Sequence, residues 1–382
     1  MIRSALPTLL TAVVIVALPA MILLEHDPPS ESTTVSRNPQ LPDNFIEKRI
    51  QLPDRSEWKY VVYIPPQYND DPHHNWPVIV FLHGSAESGT DNIRQTQVGL
   101  PAYIRQNISN FPFIVIMPQA RGMWFRGQNA LAVWSALDTT LREYRTDRDR
   151  VTLTGLSMGG FGTWELATLQ PDAFAAIIPV CGVAPVEYLS NIRELPVWAF
   201  HGSQDQNVPV SATREAVARL RELGAEPKYT EYAGQGHKIW DNVYSSKEVW
   251  KWVLRQKRKP APRAINYRLI GANARVWWLI ANAEPDHVGK ARIHAEIDEE
   301  NRITISTEGV HSWAIISQDQ PIKPGDIVSL THNNEKLFRG RFNGMIGYNI
   351  SPASQPSDSP ADRRGARPPH RNSTTPSTPE IP

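Results

Sequence analysis

Ser157 has a glycine two residues away on each side in TGLSMGGFGTW (154–164), and Gly160 and Gly162 follow at once. A serine hydroxyl is a weak nucleophile. It attacks a carbonyl only when a general base takes its proton and a carboxylate orients that base. Both groups occur further along, carboxylate first. Asp205 lies in VWAFHGSQDQNVP (197–209) and His237 in YAGQGHKIWDNVY (232–244). Acyl transfer also builds negative charge on the carbonyl oxygen, which two backbone N–H groups usually stabilise. Met158, next after the serine, is one candidate donor. The other is Ser85, or Gly84 as the alternative, in VIVFLHGSAESGTDN (78–92). Gln119 and Trp124 follow an apolar run at the same end of the chain's strands and are candidates for lining a substrate pocket, with Arg121 between them.

These residues must be held by a strand that ends at the serine and a helix that begins there. Short apolar runs at 59–64, 78–82, 113–117, 151–154, 176–180, 197–200 and 228–232 read as strands, several of them apolar throughout, as strands buried on both faces are. Between them, 129–144, 159–169, 211–223 and 246–256 read as helices, with Pro171 stopping the second and Gly224 ending the third. Such alternation predicts an α/β fold with helices on both faces of a mostly parallel sheet. In that context GLSMG matches G-x-S-x-G, the sharp nucleophile turn whose flanking glycines leave room for the serine. Asp205 and His237 then fall in loops at the C-terminal ends of strands, where ligands meet such sheets. His83 and His201 each follow a strand and precede a glycine, which suits shaping of the backbone.

After the basic, proline-containing joint RQKRKPAPR (255–263) the helical period disappears. ARIHAEID (291–298) alternates apolar and polar residues strictly, 302–306 does the same, and a turn at 299–301 lies between. Further strands are expected at 265–270, 275–280, 312–317, 327–331 and 336–342, giving a small β-rich, sandwich-like domain over 264–348. Adjacent Trp277 and Trp278 face opposite ways on a strand, serving either as a ligand platform or as core on one side and domain contact on the other. The segment 45–258 is the expected α/β domain, 26–44 a linker rich in Pro, Ser and Thr, and 351–382 a disordered tail.

At the N-terminus, Arg3 precedes a nearly continuous apolar run over 5–24. This pattern predicts export, with residues 1–25 either a cleaved signal peptide or a retained membrane anchor that leaves the rest outside. The composition of the whole 382-residue chain is balanced. There are 40 basic and 39 acidic residues, for a net charge of +1, which excludes the basic footprint of a nucleic-acid binder. With one cysteine, Cys181, the chain forms no intramolecular disulfide, and its place after an apolar run reads as a buried, inert thiol. His73 and His74 lie among Asp70, Asp71 and Pro72 and read as an exposed loop, not a metal site.

Taken together, HGSAESGTDN, MPQARGMW, TGLSMGGFGTW, HGSQDQNVP and GQGHKIWD resemble the α/β-hydrolase superfamily. Within it they are similar to the dienelactone hydrolase, polyhydroxybutyrate depolymerase-like and prolyl oligopeptidase-like serine esterase group, over roughly residues 45–256. The resemblance implies an eight-stranded sheet, a Ser157–Asp205–His237 triad, and hydrolysis of small or polymer-attached esters through an acyl-enzyme, with no metal or organic cofactor. Dienelactone hydrolases proper use a cysteine nucleophile where this chain has Ser157. Alternatives are a prolyl oligopeptidase-like serine peptidase, or a weakly active surface binding protein on the same fold.

Overall fold

The computed structural model describes residues 40–124, 127–317 and 321–350. The expected leader or anchor at 1–25, most of the linker and the tail from 351 lie outside the described residues. Eight strands form the first sheet: β1 (Phe45–Gln51), β2 (Glu57–Tyr63), β3 (Trp76–Leu82), β4 (Ile114–Pro118), β5 (Thr146–Leu156), β6 (Ala176–Val180), β7 (Trp198–Gly202) and β8 (Lys228–Tyr232). Their spatial order is β1-β2-β4-β3-β5-β6-β7-β8, with β2 antiparallel to both neighbours and the pairs from β4 onward parallel.

Period-two alternation divides each central strand between two cores. Val78, Val80 and Leu82 of β3 face one layer, built with α2 (Gly127–Glu143), α3 (Met158–Leu169) and α4 (Val210–Glu222). Ile79 and Phe81 face the other, built with α1 (Leu100–Gln106), α5 (Trp240–Ser245) and α6 (Lys247–Val253). Full burial of such a side chain is worth about 1.5–3 kcal/mol. The sheet is thereby fixed as a rigid floor, and its carboxyl ends present the loops after β3, β5, β7 and β8.

Three elements of this domain were not anticipated. The β1 sequence FIEKRIQ buries only Phe45 and Ile50, so its charged residues read as loop, which suits an edge strand. α1 and α5 have seven and six residues, too short for a helical period to stand out.

The remaining strands are β9 (Ala264–Arg268), β10 (Asn273–Val276), β11 (Leu279–Ala283), β12 (Arg292–Ile297), β13 (Arg302–Glu308), β14 (Val310–Ile316), β15 (Ile327–His332), β16 (Glu335–Arg341) and β17 (Met345–Asn349). They make a four-stranded sheet, β10-β11-β14-β17, and a five-stranded sheet, β16-β15-β13-β12-β9, around a shared core that includes Trp278, Trp313, Ile293 and Phe342. One pair, β13 with β15, is parallel. The single strand expected at 275–280 is instead a hairpin that turns at Trp277, whose φ is 47°. Trp278 is fully buried and donates its indole N–H to the Pro262 carbonyl at 2.8 Å. Trp277 is half-buried, and its backbone N–H donates to Asp172 at the end of α3's layer at 2.7 Å.

That contact belongs to a polar seam between the two parts. Asn191 is its centre: its Oδ1 accepts the Arg268 N–H at 2.9 Å, while its Nδ2 donates to the Arg268 carbonyl at 2.9 Å and the Thr168 carbonyl at 3.1 Å. Tyr267 donates its hydroxyl to the Leu169 carbonyl, and Tyr188 donates to that of Gly289. One buried side chain thus completes the backbone pairing of an otherwise open strand end. Asn191→Ala should lower unfolding stability by about 1–3 kcal/mol, measured by urea denaturation; a change within error would show that the seam is held elsewhere.

Candidate functional site

The turn between β5 and α3 is built around Ser157, whose backbone is left-handed with φ 53° and ψ −118°. This conformation is strained for a residue with a Cβ and persists only where neighbours impose it. Here the Ser157 N–H donates to the Val180 carbonyl of β6 at 2.9 Å, and the Ser157 carbonyl accepts the Phe161 N–H at 3.0 Å. The glycines answer the crowding. A Cβ on Gly159 would overlap the Leu82 carbonyl, and one on Gly155 would meet the carbonyls of Gly159 and Leu82. Because these obstacles are backbone and cannot rotate away, Gly159→Ala should cost at least about 4 kcal/mol or prevent folding. Recovery of soluble protein with unchanged denaturation would contradict this.

From that turn the hydroxyl faces the loop after β8. Ser157 Oγ lies 2.9 Å from His237 Nε2, and His237 Nδ1 lies 2.7 Å from Asp205 Oδ2. A carboxylate only accepts, so the proton sits on Nδ1 and the Nε2 lone pair receives the serine O–H. Asp205 Oδ1 accepts the N–H groups of Asn207 at 2.8 Å and Val208 at 2.9 Å, which fixes the carboxylate in its loop. Its side chain is fully enclosed, while His237 stays partly open above it. Burial pushes the Asp205 carboxyl upward, but the hydrogen bonds from Val208, His237 and Asn207 outweigh it and hold the group below its usual range. The three residues anticipated from sequence are therefore in mutual contact, although they lie 80 and 32 positions apart.

Two amides begin the segments that follow the neighbouring strands β3 and β5. Met158 opens α3, and Ser85 opens a short turn of 3-10 helix (Ser85–Glu87) after β3. Among the described residues neither N–H has an acceptor. His83 braces this loop from within. Its Nε2 accepts the Ala120 N–H at 2.9 Å, so its Nδ1 carries the proton and donates to the Gly84 carbonyl at 2.6 Å. Burial pulls this imidazole down to about 4, and it is neutral in the working range.

Of the two residues expected to line a substrate pocket, Trp124 needs correction and Gln119 lines a cleft with its amide already bonded. Trp124 is fully buried: its indole N–H donates to the His83 carbonyl at 2.8 Å, its ring packs edge-on to the His83 imidazole, and it fills the space beside Gly162. It supports the loop from below and does not line a substrate pocket. Gln119 is 3% exposed and spends its amide on the 87–92 loop, accepting the Asn92 N–H at 2.6 Å and donating to Glu87 and Asp91. It borders a shallow cleft of about 90 Å³ with Arg121, Trp58 and Gly89, but its polar atoms are committed to the loop. Both residues were legible as belonging to this region. Which way they point was not, because that depends on packing between distant segments.

Sequence reasoning gave His201 only a backbone role. The structure places it, fully buried, against Asp205 itself, with Nε2 3.1 Å from Oδ2. The four-residue spacing in HGSQD is the signal that could have shown it. Among the described residues, Cys181, His201 and Asp205 are the one group whose potential metal-ligating atoms lie together, within 4.8 Å. They fit a metal poorly. Burial pushes the Cys181 thiol up to about 12, the His201 Nε2 faces two oxygen acceptors and so carries a proton, and Asp205 is engaged by three N–H groups.

The depressed Asp205 value has a sign. A carboxyl held below its unfolded value favours the folded state. Its contribution is complete above the unfolded value of about 4 and disappears as pH falls through the folded one. Wild-type melting temperature should therefore decline below about pH 4 more steeply than that of Asp205→Asn. Parallel acid slopes would contradict the assignment.

The chain is similar to known proteins over part of its length. A family model described as phospholipase/carboxylesterase matches residues 128–246. Feruloyl esterase B of Thermothelomyces thermophilus is 34% identical over 136 residues, covering 32% of this chain and 43% of that protein. The probable acetylxylan esterase A of Aspergillus flavus is 30% identical over 113 residues, 30% of this chain and 34% of that one. The chain thus spans less than half the length of these curated relatives. Among solved structures, a thermostable esterase is 32% identical with a TM-score of 0.51, covering 56% of this chain and 64% of its own.

Proposed function

We propose that this chain, a member of the α/β-hydrolase superfamily, is a serine esterase that cleaves carboxylic esters, small or polymer-attached, through an acyl-enzyme. The observation that carries the reading is the unbroken hydrogen-bonded path from Ser157 Oγ through His237 to Asp205. Ser157 Oγ attacks the ester carbonyl as its proton passes to His237 Nε2. Asp205, ionised and held by two backbone N–H groups, stabilises the imidazolium that forms. The N–H groups of Met158 and Ser85, without acceptors of their own among the described residues, supply the oxyanion site. His237 then protonates the leaving alcohol. Water, deprotonated by the same nitrogen, attacks the acyl carbonyl and releases the acid and the free serine.

Within this reading, His83 and Trp124 shape the oxyanion loop without touching the reacting atoms. Arg3 and the apolar run at 5–24 support export, so the ester would be met outside the cytoplasm. The feruloyl and acetylxylan esterases among its relatives direct attention to feruloyl esters and to acetyl esters carried on xylan.

Ser157→Ala should reduce p-nitrophenyl acetate hydrolysis by a factor on the order of 10⁴ to 10⁶ and abolish labelling by a fluorophosphonate probe. Unchanged hydrolysis would overturn the mechanism. Turnover of aminoacyl-proline amides in preference to all esters would keep the triad but replace the esterase with a peptidase.

A further inference from the structure

We propose that His201 is a positioning residue for this reaction: its Nε2–H, bonded to the Val208 carbonyl and 3.1 Å from Asp205 Oδ2, holds the triad carboxylate and its loop in place beside His237. The inference rests on the reading of Ser157, His237 and Asp205 as the triad and assigns a role to a second imidazole beside the same oxygen.

The protonation of His201 follows from its neighbours. Nε2 lies 3.0 Å from the Val208 carbonyl and 3.1 Å from Asp205 Oδ2, and both partners are acceptors, so Nε2 carries a proton. Nδ1 lies 2.7 Å from Thr213 Oγ1, and in the neutral ring with the proton on Nε2 it accepts that one hydroxyl proton. The 3.1 Å contact of the same oxygen with the Gly182 carbonyl is then a proximity and not a second donated bond. Burial lowers the imidazole, so it stays neutral over the range in which the enzyme would work. A neutral donor suits the place. Its N–H dipole lies beside Oδ2 and stabilises the carboxylate without supplying a positive charge that would compete with the imidazolium of His237.

The contact also fixes the geometry of the loop. Val208 is bound twice, through its N–H to Asp205 Oδ1 and through its carbonyl to His201, which locks 205–208 into one closed ring of hydrogen bonds. Thr213, on the first turns of α4, ties that ring to the helix, and its Oγ1 also lies 3.1 Å from the Gly182 carbonyl after β6. The Asp205 carboxylate is therefore positioned from three elements and not from its own loop alone.

The other titratable groups facing this cluster are few. Cys181, after β6, is held protonated by burial and donates its Sγ–H toward the His237 carbonyl at 3.3 Å. Glu231 on β8 lies on the far side, its charge taken up by a bidentate contact with Arg214 at 2.6 and 2.9 Å. Neither replaces the donor that His201 supplies.

The test compares His201→Phe, which keeps a planar ring and deletes both nitrogens, with His201→Gln, whose amide nitrogen reaches about where Nε2 stands. Thr213→Val is the third variant, for the case in which the Phe variant does not fold. Each is assayed on p-nitrophenyl acetate across pH, with fluorophosphonate labelling of wild type confirming the triad independently.

For the Phe variant, kcat should fall on the order of ten- to a hundredfold with KM nearly unchanged. Its acid limb of kcat/KM should move to higher pH, because Asp205 Oδ2 concentrates more charge on His237. The Gln variant should return the acid limb to the wild-type position and recover most of kcat. Thr213→Val should lower kcat severalfold without altering KM. A Phe variant that folds and matches wild type in kcat and acid limb overturns the proposal, as do Phe and Gln variants that behave alike. If the Phe variant is insoluble, a Thr213→Val enzyme indistinguishable from wild type overturns it. Wild type that resists the probe indicts the triad reading instead.

Discussion

The left-handed backbone of Ser157 is the constraint on which the rest of the structure depends. Holding a serine at φ 53° costs on the order of 1–3 kcal/mol, and nothing local to TGLSMGG offsets it. The compensation comes from outside the turn. β6 accepts the Ser157 N–H, and the packing of α3 on β5 and β6 leaves the chain no other path between strand and helix. Gly155 and Gly159 are required by that closeness, since the carbonyl of Leu82 at the end of β3 occupies the space a Cβ would need. The strain thus aims one hydroxyl out of an otherwise buried corner.

The charge arrangement around it is economical. One buried carboxylate, Asp205, carries the formal charge: two backbone N–H groups donate to its Oδ1, His237 donates to its Oδ2, and the His201 ring lies 3.1 Å from the same oxygen. The two imidazoles differ in exposure. His201 is sealed and neutral, while His237 is open on the side that meets Ser157. His83, also sealed and neutral, orders the opposite loop. In each supporting case burial removes a histidine's charge and leaves a directed N–H, which suits a site where only one imidazole is proposed to change protonation.

The alternation of strands and helices and the layers on both faces were legible because they follow from periodicity, and Ser157, Asp205 and His237 stood out by their order and by glycines whose spacing has one steric use. Where the sequence misled, the reason was packing at a distance. Trp124 reads as a pocket residue because it follows β4, yet the absence of a side chain at Gly162 draws it inward. Gln119 has its amide consumed by a loop some thirty residues earlier in the chain, from 87 to 92. The pair Trp277–Trp278 alternates as a strand should, but Trp277 takes up a left-handed turn and gives its N–H to Asp172. Charge within β1 hid an edge strand. In each case the missing information was a partner in another segment.

The central claim, that Ser157 becomes acylated, is most directly tested by mass spectrometry of the protein quenched in acid during turnover of p-nitrophenyl acetate. The account predicts one acetyl group per chain, mapped to the peptide containing TGLSMGGFGTW and located on Ser157. Continued release of p-nitrophenol with no acetyl on that peptide, or with the acetyl on another side chain, would contradict it.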